Sequence, residues 1–443
     1  MNQLYETKLR RSQRARILVL TPRNPYPVIG GDRLRIHRLA RELSKFHDLT
    51  LLTLCESRSE QDAPPPDDGV FTEVHRVVLP RWRSWLNVLG ALPTSEPLQV
   101  AYYRSRAFRD AVETLAPAHD VVLAHLVRTG GYARGLPAVK LLEMTDAISM
   151  SMERVARADL GYFDFRRLVY SIEARRLAAY ERRITADFEL VSLNSAVDRS
   201  FLLASPRECG EHVIVVPNGA DAPRETPPPL AGRPPAEIVF IGNLQSLQNF
   251  DAAWFFARHV LPRVRDRRPE AVFRVIGPIP GNAERRLGVL PGVRIEGFVP
   301  SLEAALATAR IGVCASRIAS GMQNKVLDYL SHRLAVVCSP VALEGLDARD
   351  GEHLLVADTL DEWTERVIRL IDDEALAQRL ADAGRLLACF RYRWDRCTQP
   401  LLSRLDELLA AREAPHDQVP LTPSESSHAW TAQPAVTSRS SGT

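Results

Sequence analysis

The chain has 443 residues, 45% hydrophobic and 25% charged, which excludes a disordered polymer and is long enough for two domains of about 200 residues each. Its 57 basic and 54 acidic residues leave a net charge of +3, too small to mark a nucleic-acid binder. No run nears the ~18 unbroken apolar residues of a membrane span, and the first residues lack the apolar stretch of a secretory signal, so a cytoplasmic protein is expected.

In chain order, residues 1–45 carry eleven Lys and Arg against Glu6, Asp32 and Glu42. Residues 1–15 read as a basic arm, either a solvated surface or one drawn to an anionic membrane. "RILVLTP" reads as a strand. Gly30 and Gly31 follow it, immediately before a helix from about Asp32 to Phe46. Adjacent glycines let a ligand approach the backbone, and the first-turn N–H groups favour an anion; the same pattern also serves as a plain helix start. Neither G-x-G-x-x-G nor G-x-x-x-x-G-K-[ST] occurs, so the dinucleotide and P-loop readings lose their main support. "LTLLTL" is the next strand. Residues 81–108 then mix Trp82, Trp85, Leu86, Val88 and Leu89 with Arg81 and Arg83, a combination that suits a membrane interface and equally a helix covering the core.

The strands "VVLAHL" and "VKLLEM" end near His125 and Asp146, two groups able to take or orient an acceptor hydroxyl at a cleft. A long Arg-rich helix from about Phe165 to Ala186 reads as a solvated face. "FELVSL" and "VIVVPNG" complete the first half. Residues 221–236, "DAPRETPPPLAGRPPA", contain six prolines and read as a stiff linker between domains. Beyond it "EIVFIGNL", a helix from about Asn249 to Arg265, "VFRVIG", "VRIEGF", "IGVCAS" and "LAVVCS" repeat the alternation. Strands separated by helix-length segments predict parallel sheets covered on both faces, hence two doubly wound α/β domains. Residues 413–443, rich in Ser, Thr and Pro, read as a disordered tail. The six cysteines form no C-x-x-C pair, which argues against zinc and for a reducing compartment.

In an open parallel sheet, ligands bind where strands end and helices begin. "RIASG" is such a loop and "MQNKVLDYLSHR" the helix after it. A cation in a helix's first turn is unfavourable unless an anion is present, so Lys325 points to a bound phosphate, joined by the N–H groups of Gly321, Met322 and Gln323. Asp328, three residues on, is placed to accept two hydrogen bonds from the vicinal hydroxyls of a ribose. The competing reading is a solvated Lys325–Asp328 pair.

"RIASGMQNKVLDYLSHRLAVVCSPVALEGL" and "GEHLLVAD" resemble the nucleotide-sugar-binding half of family-4 glycosyltransferases, retaining enzymes of the GT-B fold. "VPNGAD", "FIGNLQSLQNFDAAWFFARHVLPRV" and "LTPRNPYPVIGGDRLRIHRLARELSKFHDLTLLTL" are similar to further stretches of bacterial members that build exopolysaccharide or lipopolysaccharide. The resemblance spans about Arg16 to Ala411. It implies two Rossmann-like domains, 16–220 and 237–390, facing an interdomain cleft, with residues 391–412 forming a helix that crosses back to the first domain. It implies a nucleotide-sugar donor and a glycan or lipid-linked glycan acceptor, no cofactor and no metal, no nucleic acid, and a location in the cytoplasm or at the inner membrane face.

Carried over by position, the family's two acids eight residues apart fall on Ser320 and Asp328, so the first carboxylate is absent. The basic pair that many members place after the first strand of the second domain is missing too; "GNLQSLQN" offers Asn243 instead. Together with the strand-end positions of His125 and Asp146, the resemblance leads to expected donor contacts from Gly30, Gly31, Asn243, Ser320, Gly321, Met322, Lys325, Asp328 and Glu344, and expected catalytic roles for Asp146, His125 and Lys325. With no strong protein base, the leaving diphosphate would take the acceptor proton. Two rivals share the fold: a non-catalytic nucleotide-sugar-binding or scaffold protein, for which the missing charges would be marks of decay, and a sugar epimerase, for which Ser320 supplies no base.

Overall fold

The computed structural model describes residues 14–158, 164–203, 210–221, 223 and 225–413. Most of the basic arm and nearly all of the Ser/Thr/Pro-rich tail lie outside the described residues. The first sheet contains β1 (Arg16–Thr21), β2 (Asp48–Cys55), β3 (Glu73–Val78), β4 (Val121–His125), β5 (Val139–Thr145), β6 (Leu190–Leu193) and β7 (Val213–Val215), ordered β3-β2-β1-β4-β5-β6-β7. The second contains β8 (Glu237–Ile241), β9 (Val272–Ile276), β10 (Val293–Gly297), β11 (Ile311–Cys314), β12 (Ala335–Cys338) and β13 (Leu355–Val356), ordered β10-β9-β8-β11-β12-β13. Every pairing in both sheets is parallel.

These sheets follow from the apolar runs. Along β1, Ile17 and Val19 pack into one cluster with helix Gly31–Ser44, while Leu18 and Leu20 pack into another on the opposite face. A strand buried on both sides needs continuous rather than alternating apolar residues, and that is its composition. The edge strand β3 was not read from the sequence: "EVHRVV" is only half-buried and mixes charges into its run. The helix expected from Asn249 to Arg265 is longer and irregular, with Leu247–Phe255 passing through a π-helical turn at Phe256–Val260 into Leu261–Arg267. The π turn lies just ahead of Pro262, which has no N–H to continue the ladder.

The proline-rich linker is fastened to the second domain. Leu230 is fully buried there, its N–H bonds Gln378, and Arg233 bonds the Ala309 carbonyl at 2.8 Å. Helix Gln399–Glu413 crosses back: Leu401, Leu402, Leu405 and Leu409 pack with Ile17, Val19 and Leu49 of the first domain. Strand order reverses between β1 and β4 in one sheet and between β8 and β11 in the other, which defines two crevices at strand ends where ligands bind in such folds.

Candidate functional site

The loop from Ala315 to Gln323 leaves β11 and opens helix Asn324–Ser331. Gly321 has φ 64°, the left-handed conformation that glycine adopts without a Cβ clash, and a Cβ there would meet Asn194 at 2.8 Å and Asp146 at 3.0 Å. The loop is thus pressed against the first domain. Ser320 Oγ donates to Asp146 Oδ2 at 2.5 Å, and the Met322 N–H donates to Asn194 Oδ1 at 3.3 Å. The Gly321 N–H also helps hold the Asp198 carboxylate. Two of the three amides expected to face a phosphate, those of Gly321 and Met322, are therefore directed at the first domain.

Lys325 stands in the first turn of the helix, its ammonium 5.6 Å from the Phe240 ring centroid and 3.2 Å from Gln323 Oε1. It forms no direct ion pair with Asp328 among the described residues, so the solvated-pair reading does not describe the site. Asp328 keeps some surface open to solvent, yet its carboxyl is hemmed in by protein. Burial, then the nearby Asp221 carboxylate, pushes it up to about 7 against the pull of Lys325.

On the first domain, Gly30 has φ 100° and precedes helix Gly31–Ser44. A Cβ on Gly31 would lie 3.7 Å from Asn324 Nδ2, so the Gly-Gly loop faces the first residue of the lysine-bearing helix. Arg23 pairs with Asp32 at 2.6 Å beside this loop. Gly30 and Asn243 line one pocket of about 470 Å³ together with Arg23, Asp32, Tyr102 and Gln245, and it spans both domains.

Asp146 follows Thr145, which has φ 67° at the end of β5. Burial, then the Asp198 carboxylate, raises Asp146 to about 6, while the Ser320 hydroxyl opposes the rise. Glu181, hydrogen-bonded by Ser149, is lifted by burial to about 8. His125 is only 2% exposed, with Nδ1 held 2.6 Å from Glu143 Oε2. It sits in the core of the first domain beneath the cleft, in contact with a charged network. Arg35, fully buried, donates to Glu143 Oε1 at 2.6 Å, to Asn218 Oδ1 at 2.5 Å and to the Val216 carbonyl at 3.0 Å. Burial alone would raise Glu143, but the Arg35 guanidinium, aided by His125, overrides it and pulls the carboxyl down to about 2. Asn218 Nδ2 then donates to Asn324 Oδ1 at 2.6 Å, linking this network to the second domain.

Glu344 has its carboxylate gripped by Arg154 at 2.8 and 2.7 Å, and the same guanidinium reaches the Ala319 carbonyl. Arg154, Asn194, Arg35 and Asn218 were not singled out from the sequence. Asn194 had a signal, since it follows β6 as Asp146 follows β5; the two arginines lie within helices, and nothing local marks their partners. Among the described residues no three His, Cys, Asp or Glu side chains gather as a metal-binding set.

The two facing domains compare with solved structures over most of the chain. Sucrose-phosphate synthase from Thermosynechococcus elongatus superposes with a TM-score of 0.66 at 13% identity, covering 90% of this chain and 100% of that one. α,α-Trehalose 6-phosphate synthase from Burkholderia multivorans gives 0.60 at 15% identity, covering 90% and 98%. Anabaena HepE, in complex with UDP-glucose, gives 0.59 at 14% identity, covering 89% and 100%. The fold is GT-B. Residues 235–373 of this GT-B protein match the family described as "Glycosyl transferases group 1", which covers the second domain through helix Leu360–Asp372. No curated protein matches the chain in sequence. In the GT-B frame the loop 315–323 and the Gly30–Gly31 loop are the two sides of the interdomain cleft.

Proposed function

We propose that this protein is a glycosyltransferase that moves a sugar, with retention, from a nucleotide-diphosphate donor to a glycan or lipid-linked glycan at the membrane's inner face, in bacterial surface polysaccharide synthesis. The observation that carries the reading is the loop–helix junction from Ser320 to Asp328, at the strand-order reversal of the second sheet and opposite Asp146. A first-turn Lys325 without a carboxylate on its ammonium suits a diphosphate, and a partly open Asp328 whose carboxyl is held by no hydrogen bond among the described residues suits a ribose.

The chemistry assigned to these residues is electrostatic. Departure of the diphosphate builds negative charge, which Lys325 and the helix N-terminus stabilise. The diphosphate takes the acceptor proton as the new glycosidic bond forms, so no strong protein base is needed. Ser320 and Asp146 together present a hydroxyl and a carboxylate to the donor sugar in place of the absent acid. His125 supports Glu143, and Glu344 with Arg154 holds the domains in register. Neither metal nor cofactor is assigned. The group 1 match over the second domain and the UDP-sugar bound to a structural neighbour support a nucleotide-sugar donor.

The experiment is a binding titration against UDP, GDP and ADP with and without magnesium, using wild type, Lys325→Ala and Asp328→Ala. One nucleotide should bind wild type, with the diphosphate contribution lost in the lysine variant and the nucleoside contribution lost in the aspartate variant. Absence of binding to any nucleotide would favour a scaffold protein.

A further inference from the structure

Helix Arg81–Ala91 is built inside out. Trp82, Trp85, Leu86 and Leu89 follow the i, i+3, i+4, i+7 spacing of an apolar helix face, yet they are 61, 60, 56 and 59% exposed. The residues turned to the protein are Ser84 and Ala91, each 1% exposed. The apolar face is mostly in water, with Trp85 making an edge contact with Tyr102. Four large side chains left in water on one stripe are what a monomer normally avoids, and mark an interaction surface.

A second helix with exposed apolar residues adjoins the end of this one. Arg176 donates to the Leu92 carbonyl at 3.0 Å, and Leu168 and Ile172, at helical spacing back from Arg176, are 56 and 42% exposed. Charge decides the occupant. The helix carries Arg81 and Arg83 and no acid. Arg81 is balanced by Glu56 at 2.7 Å, but Arg83 has no carboxylate partner among the described residues and its guanidinium lies 5.5 Å over the Trp82 ring. A tryptophan face with an arginine snorkelling beside it fits the headgroup boundary of an anionic bilayer. Position agrees. Arg81 and Ser84 also line the pocket shared by Gly30 and Asn243, so the helix forms a rim of the cleft.

We infer that helix Arg81–Ala91 seats the protein on an anionic phospholipid bilayer, Trp82, Trp85, Leu86 and Leu89 entering the interface while the cleft pocket opens towards the membrane. This deepens the proposed function, on which it rests for one point only, that the acceptor is lipid-linked: its saccharide then reaches the pocket from the surface on which the enzyme sits. No helix among the described residues is long and apolar enough to cross a membrane, so the contact is interfacial.

The test uses the full chain in flotation with vesicles of phosphatidylcholine alone and of phosphatidylcholine with phosphatidylglycerol, alongside solution mass and UDP, GDP and ADP titrations on the same preparations. Wild type should float with the anionic vesicles, Trp82→Ser/Leu89→Ser should lose about tenfold or more in partitioning, and Arg83→Gln about fivefold. The serine variant should bind nucleotide as wild type does, which also shows that it is folded. Three results would overturn the inference: no wild-type binding to anionic vesicles, undiminished binding by the serine variant, or self-association of wild type through this face that the serine variant abolishes. Vesicle binding without nucleotide binding would sink the proposed function and leave the membrane contact standing.

Discussion

Ser320 Oγ and Asp146 Oδ2, 174 positions apart in the chain, meet at 2.5 Å across the interdomain cleft. The hydroxyl occupies the place where the resemblance implies an acid, and the carboxylate arrives from the other domain. A hydrogen bond to a charged acceptor contributes about 1.5–3 kcal/mol. Ser320→Ala should therefore favour the open arrangement of the domains, seen as increased radius of gyration in small-angle scattering and faster cleavage by a protease near residues 221–236. Scattering and cleavage indistinguishable from wild type would show that the pair does not hold the domains closed.

Asp328 should make nucleotide binding pH-dependent. Its carboxyl titrates near 7 because burial and Asp221 disfavour the charge, and a ribose diol needs the ionised form as acceptor. Affinity should then fall as pH drops from 8 to 6, approaching about tenfold per unit below the pKa. Asp328→Asn should bind more weakly than wild type at pH 8 and show a flat profile. Isothermal titration at several pH values reads both.

Stability should decline as pH rises from about 5 to 8. Asp146, Asp328 and Glu181 have folded values of about 6, 7 and 8, above the roughly 4 of an unfolded carboxyl. In that window the folded chain binds more protons than the unfolded one, so each unit of pH removes stability. Glu143 runs the other way, because its folded value is depressed; its contribution is lost only as pH falls below about 4 towards about 2. Thermal melts from pH 5 to 9 should show the decline, and Glu181→Gln should flatten its upper part. A melting temperature that rises through this range would refute it.

Arg35→Met should be strongly destabilising. It strips the guanidinium from a fully buried Glu143 and from Asn218, and breaking a buried ion pair by removing one partner costs about 3–5 kcal/mol. Denaturant unfolding measures the loss. The double variant Arg35→Met/Glu143→Gln should recover part of it, since the orphaned charge is gone; no recovery would mean that packing, not charge, sets the cost.

Gly277→Ala should disrupt the second domain at its strand ends. Gly277 has φ 128°, and a Cβ there would lie 2.0 Å from the Gly242 carbonyl oxygen. Backbone must shift beside Asn243, so nucleotide affinity should fall together with a lower melting temperature. Unchanged binding would place the donor away from the β8 end.

The two α/β folding units and the strand–loop–helix order around Ser320–Asp328 were legible from the amino-acid order, because each rests on local chemistry; that the last helix crosses back came only from the resemblance. Strands such as β1 and β11 announce themselves as short apolar runs, and Gly321 ahead of a helix that carries Lys325 and Asp328 within one turn marks the junction. Beyond that reach lay every relationship between distant segments. The Asp146–Ser320 bond, the Arg35–Glu143–Asn218 network and the Arg154–Glu344 clamp join residues more than 100 positions apart, and no periodicity encodes which side chains two domains bring together. The helix Arg81–Ala91 shows the limit most plainly. Its apolar stripe has the same pattern whether it faces a core or water, because helical spacing defines a face but not what lies opposite, and only the tertiary packing of Ser84 and Ala91 decided that Trp82 and Leu89 point outward.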